Sequence, residues 1–276
     1  MISVQTNVDS MLAQSNLSVD NQFQSKTIQQ LTSGFRINRS GDDAAGLAIA
    51  NGYRNDIAEM TQGIANANDG IAQLQIVDGG LANISTILDR MKTLATQSAS
   101  DTFTGDRSTL NQEYSALLGE IDRQAANIGL GSSGGQFNGS ALSVYVGGAM
   151  LGGTANASVS VDLTSAKVDS SGLALNGGDI STSTGAATAL DAIGSAVKTL
   201  GLAQGAVGAG ENQLQYAVNL LSSQIANYST AQSSIRDADV AADAANLTKS
   251  QVLEQTAIAA MAQANSEPQA VLKLLQ

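Results

Sequence analysis

The stretch Ile193-Gly-Ser-Ala-Val-Lys-Thr-Leu200-Gly-Leu-Ala-Gln-Gly-Ala-Val207-Gly-Ala-Gly-Glu-Asn-Gln-Leu214-Gln-Tyr-Ala-Val-Asn-Leu-Leu221 decides the fold. Ile193, Leu200, Val207, Leu214 and Leu221 recur every seven residues, and the register continues to Tyr228 and Ile235 without a slip. Val197, Val218 and Ile225 are expected to fill the second position of the repeat. A seven-residue apolar repeat lays a stripe along one side of a long helix, and that stripe must pack on other helices. A helix over about 186–235 would be about 75 Å long, well beyond an ordinary globular helix.

A matching stripe lies nearer the start of the chain. Met60, Ala67, Leu74, Leu81, Leu88 and Ala95 are seven apart, with Ile57, Ile64 and Ile71 three residues before the first three. Gly63 and Gly70 keep this register, although a glycine costs a helix interior about 1 kcal/mol. The reading is one helix over 44–98 with close neighbours at those glycines. Val77, Ile84 and Met91, with Ile87 and Leu94, add a second stripe, so this part should touch helices on more than one side.

Working outward, Leu110, Tyr114, Leu117, Ile121 and Ile128 mark a third helix after a turn at 102–107. Residues 1–35 carry a thin stripe (Val8, Leu12, Val19, Phe23, Ile28, Leu31, Phe35), and residues 240–276 another (Val240, Leu247, Ile258, Met261, Leu272, Leu275). Such helices are weak alone and are ordered by docking. Ser40 or Asp42 should cap the second helix, Asp237 and Asp239 should mark a break, and Pro268 should kink the last helix or start its final segment. Between 129 and 185 the chain turns to Gly, Ser, Thr, Ala and Asn. Leu142, Val144 and Val146 alternate, as do Val159, Val161 and Leu163, which reads as a β-hairpin. The rest of this middle is expected to face solvent.

The fold class is therefore mainly α: a long antiparallel helical bundle or coiled coil formed by both chain ends, with a small β-hairpin region in the middle. The expected division is 1–43 plus 237–276 as one domain of terminal helices, and 44–236 as a long-helix domain that includes 129–185. The terminal stripes are too many to be covered within one thin molecule, so subunit contacts are expected there.

Composition excludes much else. Lys and Arg total 13 against 24 Asp and Glu, a net charge of −11. Phosphate backbones and anionic membranes repel such a chain, so neither nucleic acid nor membrane is an expected partner. Cysteine and histidine are absent, which removes disulfides, thiolate chemistry and zinc sites of the Cys/His kind. Aromatics are only 3%, suited to helix-on-helix packing. Asp42-Asp43 has the makings of a carboxylate pair for acid–base or metal work, but without a nearby His and beside a helix start it reads as a cap and a subunit contact. Gly129–Gly135 lacks the Lys-Ser/Thr and the strand–loop–helix frame of a phosphate loop. No catalytic residue, metal site or cofactor is expected.

Three stretches resemble one family. They are Leu31-Thr-Ser-Gly-Phe-Arg-Ile-Asn with Asp42-Asp-Ala-Ala-Gly-Leu-Ala-Ile-Ala-Asn51; Asn66-Ala-Asn-Asp-Gly-Ile71 with Gly119-Glu-Ile-Asp-Arg123 and Phe137-Asn-Gly139; and Ser234-Ile-Arg-Asp-Ala-Asp239 with Ala262-Gln-Ala-Asn265 and Pro268-Gln-Ala-Val-Leu-Lys-Leu-Leu275. In this order they resemble bacterial flagellin, over roughly 1–139 and 186–276, in a short form lacking large outer domains. The resemblance implies a non-enzymatic subunit that self-assembles into the flagellar filament used for motility. It places the paired termini in the filament core, with Val8, Leu12, Val19, Phe23, Leu31, Asp42, Asp43, Leu247, Ile258, Met261, Leu272 and Leu275 at subunit interfaces. It further implies type III export without a cleaved signal peptide, an extracellular location, and an export chaperone, a filament cap and hook-junction proteins as partners. A Toll-like host receptor contact would fall at Arg90, Leu94 and Glu113, where Met91-Lys92-Thr93 departs from the family's frequent Ile-Arg-Glu. Rival readings, a hook–filament junction protein, a flagellin-like hydrolase or an anchored adhesin, would need a larger middle, a His motif or a membrane anchor.

Overall fold

The computed structural model describes residues 7–132, 137, 140–147 and 157–274, and the side chains of 268–274 lie outside that description. The described elements are α1 (Val8–Ser33), α2 (Ala44–Ala99), α3 (Arg107–Asn127), β1 (Leu142–Tyr145), β2 (Ser158–Val161), α4 (Ser183–Arg236) and α5 (Val240–Leu274). They fall into two compact units, residues 1–55 with 227–276, and residues 56–226.

In the first unit α1 and α5 run antiparallel. The Asn7 amide donates to Ala264 O at 2.7 Å and the Gln24 amide to Glu254 Oε2 at 3.3 Å. Asn7 also caps α1, its Oδ1 accepting from Ser10 N–H, and Gly34 ends it at φ +72° with its N–H on Gln30 O. The breaks read from the sequence meet here as a small backbone clasp. Arg36 N–H donates to Arg236 O, and Ala238 N–H to Gly34 O. The Arg36 guanidinium adds a bond to Ile235 O, and that of Arg236 lies 4.0 Å from the centre of the Phe35 ring. Asp239 caps α5 through the N–H groups of Ala241 and Ala242. The cap of α2 is Asp43, whose Oδ1 accepts from Gly46 N–H, rather than Ser40 or Asp42. Asp42 sits one residue too early and turns back onto its own loop, accepting from Asn38 N–H and Arg39 N–H. α5 continues as one helix through Pro268, with no new segment starting there.

The second unit holds the apolar core. α2 and α4 run antiparallel, with Gly70 against Leu214 and Ser183 Oγ donating to Ala99 O. α3 lies antiparallel on α2, with Arg107 on Ser98 O at one end and Ile128 against Gly80 at the other. Met60, Ala67, Leu74, Leu81, Leu88 and Ala95 are buried, and so are Val77, Ile84, Met91 and Leu94, so both stripes of α2 are covered. Ile57, Ile64, Ile71 and Ile87 are only half-buried. On α4 the leading stripe Ile193, Leu200, Val207, Leu214 and Leu221 is buried as expected. In the expected second position Val197 is exposed and Val218 and Ile225 are half-buried, and the second fully buried row is made instead by the small residues Ala189, Ala196, Ala203 and Gly210. Small side chains let the hairpin approach: Val161 packs directly on Gly210.

β1 and β2 pair antiparallel, Leu142 opposite Val161 and Val144 opposite Val159. The hairpin docks on α2: Asn66 donates to Tyr145 O, and Tyr145 OH donates to Glu59 Oε1 at 2.8 Å. The described part of the middle is not a solvent-facing filler. Leu130, Leu163, Val168, Leu173, Leu175 and Ile180 are buried in it. Asp122 accepts from Ser170 N–H and Oγ, and Asp169 from Ser132 N–H and Oγ and from Gly172 N–H. Burial pushes the Asp169 carboxyl up, but the Gly172 and Ser132 donors outweigh it and hold its pKa below the ordinary value.

Candidate functional site

The feature that calls for a function is the outward apolar face of the terminal helices. Thr27 is the one described buried residue of α1, and Ser250 is buried on α5. Their hydroxyls are satisfied locally, by Phe23 O and Leu247 O. The described buried residues of the two helices are thus small, while several of their large apolar side chains stay exposed. Val8 is 66% exposed, Leu12 61%, Val19 65%, Phe23 46% and Ile258 50%. Leu31, Leu247 and Met261 are half-buried. Leu272 lies in the backbone of α5 with its side chain outside the described residues, as does all of Leu275. Scattered exposed apolar residues are ordinary, whereas a row along one helix marks an interaction surface.

Sequence reading did not name every exposed apolar residue of these two helices. Met11, Val252 and Leu253 are also exposed. The adjacent pair Val252-Leu253 was the available signal, since two neighbours about 100° apart around a helix cannot both lie on one narrow buried stripe. Between the helices runs a groove of about 740 Å³ lined by Val19, Phe23, Leu253 and Ala257, with Asp20 and Lys249 also along it.

Asp42 belongs to the corner after α1. Lys26 Nζ lies 3.0 Å from its Oδ1, and this partner first, then the Arg39 and Asn38 N–H groups, hold the carboxyl below its ordinary range. Asp43 is exposed and occupied as the cap. The two carboxylates therefore hold the turn, each through its own partners. Among the described residues no group of three or more Asp, Glu, His or Cys could hold a metal, and no helix is long and apolar enough to cross a membrane.

Arg90 and Glu113 face each other from α2 and α3, Arg90 Nη2 and Nε lying 2.6 Å and 2.8 Å from Glu113 Oε1, and both are partly exposed. Leu94, one turn along α2, is 1% exposed. Of the three residues, only Arg90 and Glu113 therefore present their side chains to solvent.

Paired helical termini that leave apolar stripes exposed define a self-associating class of protein. Comparison with known proteins makes the class specific. The model of the bacterial flagellin N-terminal helical region matches residues 4–140, and that of the C-terminal helical region matches residues 190–275. Flagellin of Halalkalibacterium halodurans is 35% identical over 274 residues, covering 98% of each chain. Flagellin FlaB1 of Treponema pallidum is 32% identical over 282 residues, and the flagellar filament 30.7 kDa core protein of Treponema maltophilum 32% over 279, each again with 98% of both chains. The chain belongs to the bacterial flagellin family. It is a structural subunit of the homopolymeric, extracellular flagellar filament, and not an enzyme.

Proposed function

We propose that the outward faces of α1 and α5 are the surfaces by which one subunit joins the next. In this reading residues 1–43 and 237–276 form the filament-core domain, and 44–236 form the long-helix rod domain. Val8, Leu12, Val19, Phe23, Leu31, Leu247, Ile258, Met261, Leu272 and Leu275 meet neighbouring copies, and Asp42 and Asp43 hold the corner that presents them. The observation that carries this is the row of exposed Val8, Leu12, Val19 and Phe23 along α1. Burying a Val, Leu or Phe side chain contributes about 1.5–3 kcal/mol, so such a row is a strong reason to polymerise. A contact that joins different patches on successive copies and does not close into a ring yields a helical filament.

Kinship supports the finer partners. An export chaperone would cover α5 before assembly, and the filament cap and hook-junction proteins would meet the same terminal helices at the two ends of the polymer. Export would follow the flagellar type III route. A Toll-like host receptor would meet the Arg90–Glu113 pair.

Phe23→Asp tests the assembly face. It removes roughly 2 kcal/mol of burial and forces a charge into the contact. The critical concentration for polymerisation should rise more than tenfold, while thermal unfolding of the 56–226 unit is unchanged. An unaltered critical concentration would remove α1 from the interface.

A further inference from the structure

Residues 175–178 make a tight turn, closed by Gly178 N–H on Leu175 O at 3.2 Å. Gly177 holds φ +101°, as the third residue of a type II turn requires. Asn176 and Gly177 are both exposed, and no atom lies within 4 Å of where a Cβ on Gly177 would stand. Neither the Asn176 amide nor the Gly177 N–H makes a hydrogen bond to another described residue.

We propose that Asn176–Gly177 is a site of spontaneous covalent modification, converting through a cyclic imide to aspartate and isoaspartate. The Gly177 nitrogen attacks the Asn176 side-chain carbonyl carbon. A new N–C bond forms, the bond from that carbon to Nδ2 breaks, and Nδ2 leaves as ammonia, carrying the proton that the Gly177 nitrogen gives up. Water then opens the ring at either carbonyl. One opening restores the ordinary main chain with an aspartate side chain, and the other routes the main chain through Cβ. Water is the only co-reactant. The step needs an attacking nitrogen free of other bonds, a side chain free to swing, and no Cβ on the following residue. The turn supplies all three.

The same dipeptide at Asn51–Gly52 is a built-in control. It lies inside α2, where a helical hydrogen bond holds the Gly52 N–H and the backbone cannot rotate to the attack geometry. Asn138–Gly139 lies outside the described residues.

The consequence is local. Leu175 and Ile180 on either side are buried, and Ile180 N–H donates to Asn111 Oδ1 at 3.0 Å. Gly178 lies over the buried Tyr114 hydroxyl, and a Cβ there would stand 2.7 Å from that oxygen. A longer main chain at position 176 and a new carboxylate near Asp179 loosen this cover.

The test is to age the purified full-length chain in warm, mildly alkaline buffer and map its peptides by mass, labelling isoaspartate with an isoaspartyl methyltransferase. The 176–177 peptide should gain acid mass and label first, while the 51–52 peptide stays amidated, and Asn176→Ser should lose the label at that site. Conversion at 176 no faster than at 51 overturns the proposal. In the converted fraction, isolated by ion exchange, the Ile180 amide should exchange faster with solvent; unchanged exchange overturns the structural consequence.

Discussion

Gly63 shows how one missing side chain sets where the hairpin sits. A Cβ there would stand 1.8 Å from Val146 O and 2.5 Å from Val146 C, both main-chain atoms that cannot swing aside. At Gly79, in the same helix, nothing lies within 4 Å. The two substitutions should therefore have opposite signs. Gly79→Ala gains up to about 1 kcal/mol of helix propensity. Gly63→Ala gains the same and loses about 1–3 kcal/mol by displacing the hairpin, so its thermal midpoint falls while that of Gly79→Ala rises. Calorimetry of the two variants settles this, and equal shifts would mean that the hairpin does not rest on α2 at Gly63. The sequence permitted close packing at Gly63 and Gly70, because the heptad register passed through them. It could not show that the neighbour at Gly63 is backbone, which comes from a distant segment.

Acid sensitivity also belongs to single residues. The Asp42 carboxyl is held below its ordinary 3.8 by Lys26 and two N–H donors. A depressed folded pKa contributes stability above the unfolded value, and that contribution is lost as pH falls below it. Asp42→Asn should thus lower stability of the 1–55/227–276 unit at neutral pH and flatten its pH dependence below about pH 4. Denaturation of both proteins between pH 2 and pH 6, followed through Tyr53 and Tyr228, whose rings lie 5.4 Å apart in that unit, checks it. Parallel pH profiles would sink the role given to the Lys26 pair. Ser40, Asp42 and the Asp42-Asp43 pair all read as caps because all three residues are good capping residues, and Asp43 of the pair is the one that serves. Which one serves depends on where the loop enters the helix, set here by Asp42 folding back on Asn38 and Arg39.

At the scale of elements, periodicity told most about α2 and α4 and least about 129–185. A stripe every seven residues is legible because each turn repeats the same environment. The alanines of α4 were not legible as a packing row, since Ala is also simply a good helix former. Leu163, Val168, Leu173, Leu175 and Ile180 follow no period, and their burial depends on Asp122 and Asp169 fixing the loops around them. The terminal helices differ from both. α1 has the length of a stable helix, yet among its described residues only Thr27 is buried. Helices stabilised by so little packing open readily. Amides of α1 and of residues 240–267 should exchange quickly in the monomer and slowly in the polymer, while those of 74–95 and 193–221 stay protected in both. Exchange mapped by mass spectrometry would show this, and equal rates in monomer and polymer at α1 would refute ordering by neighbours.

Taken as a whole molecule, the chain divides its labour between a unit that holds itself together and one that completes itself on other copies. The 56–226 unit buries Leu74, Leu81, Ile84, Leu88, Met91, Tyr114, Ile121 and Leu200 and needs no second chain to do so. The other unit buries few large side chains and leaves Val8, Val19, Phe23, Val252 and Ile258 in solvent. If assembly supplies the missing burial, removing part of that unit should separate folding from polymerisation. Deleting residues 240–276 takes away α5, one wall of the groove and half of the proposed face, and leaves every core residue of the 56–226 unit in place. The truncated protein should lose helix in proportion to the missing segment and keep a cooperative thermal transition. It should form no filaments at any concentration, even when seeded with filament fragments, as seen by electron microscopy. Normal filaments from this truncation would show that the contacts between copies lie elsewhere, and loss of the thermal transition would show that the 56–226 unit does not stand alone.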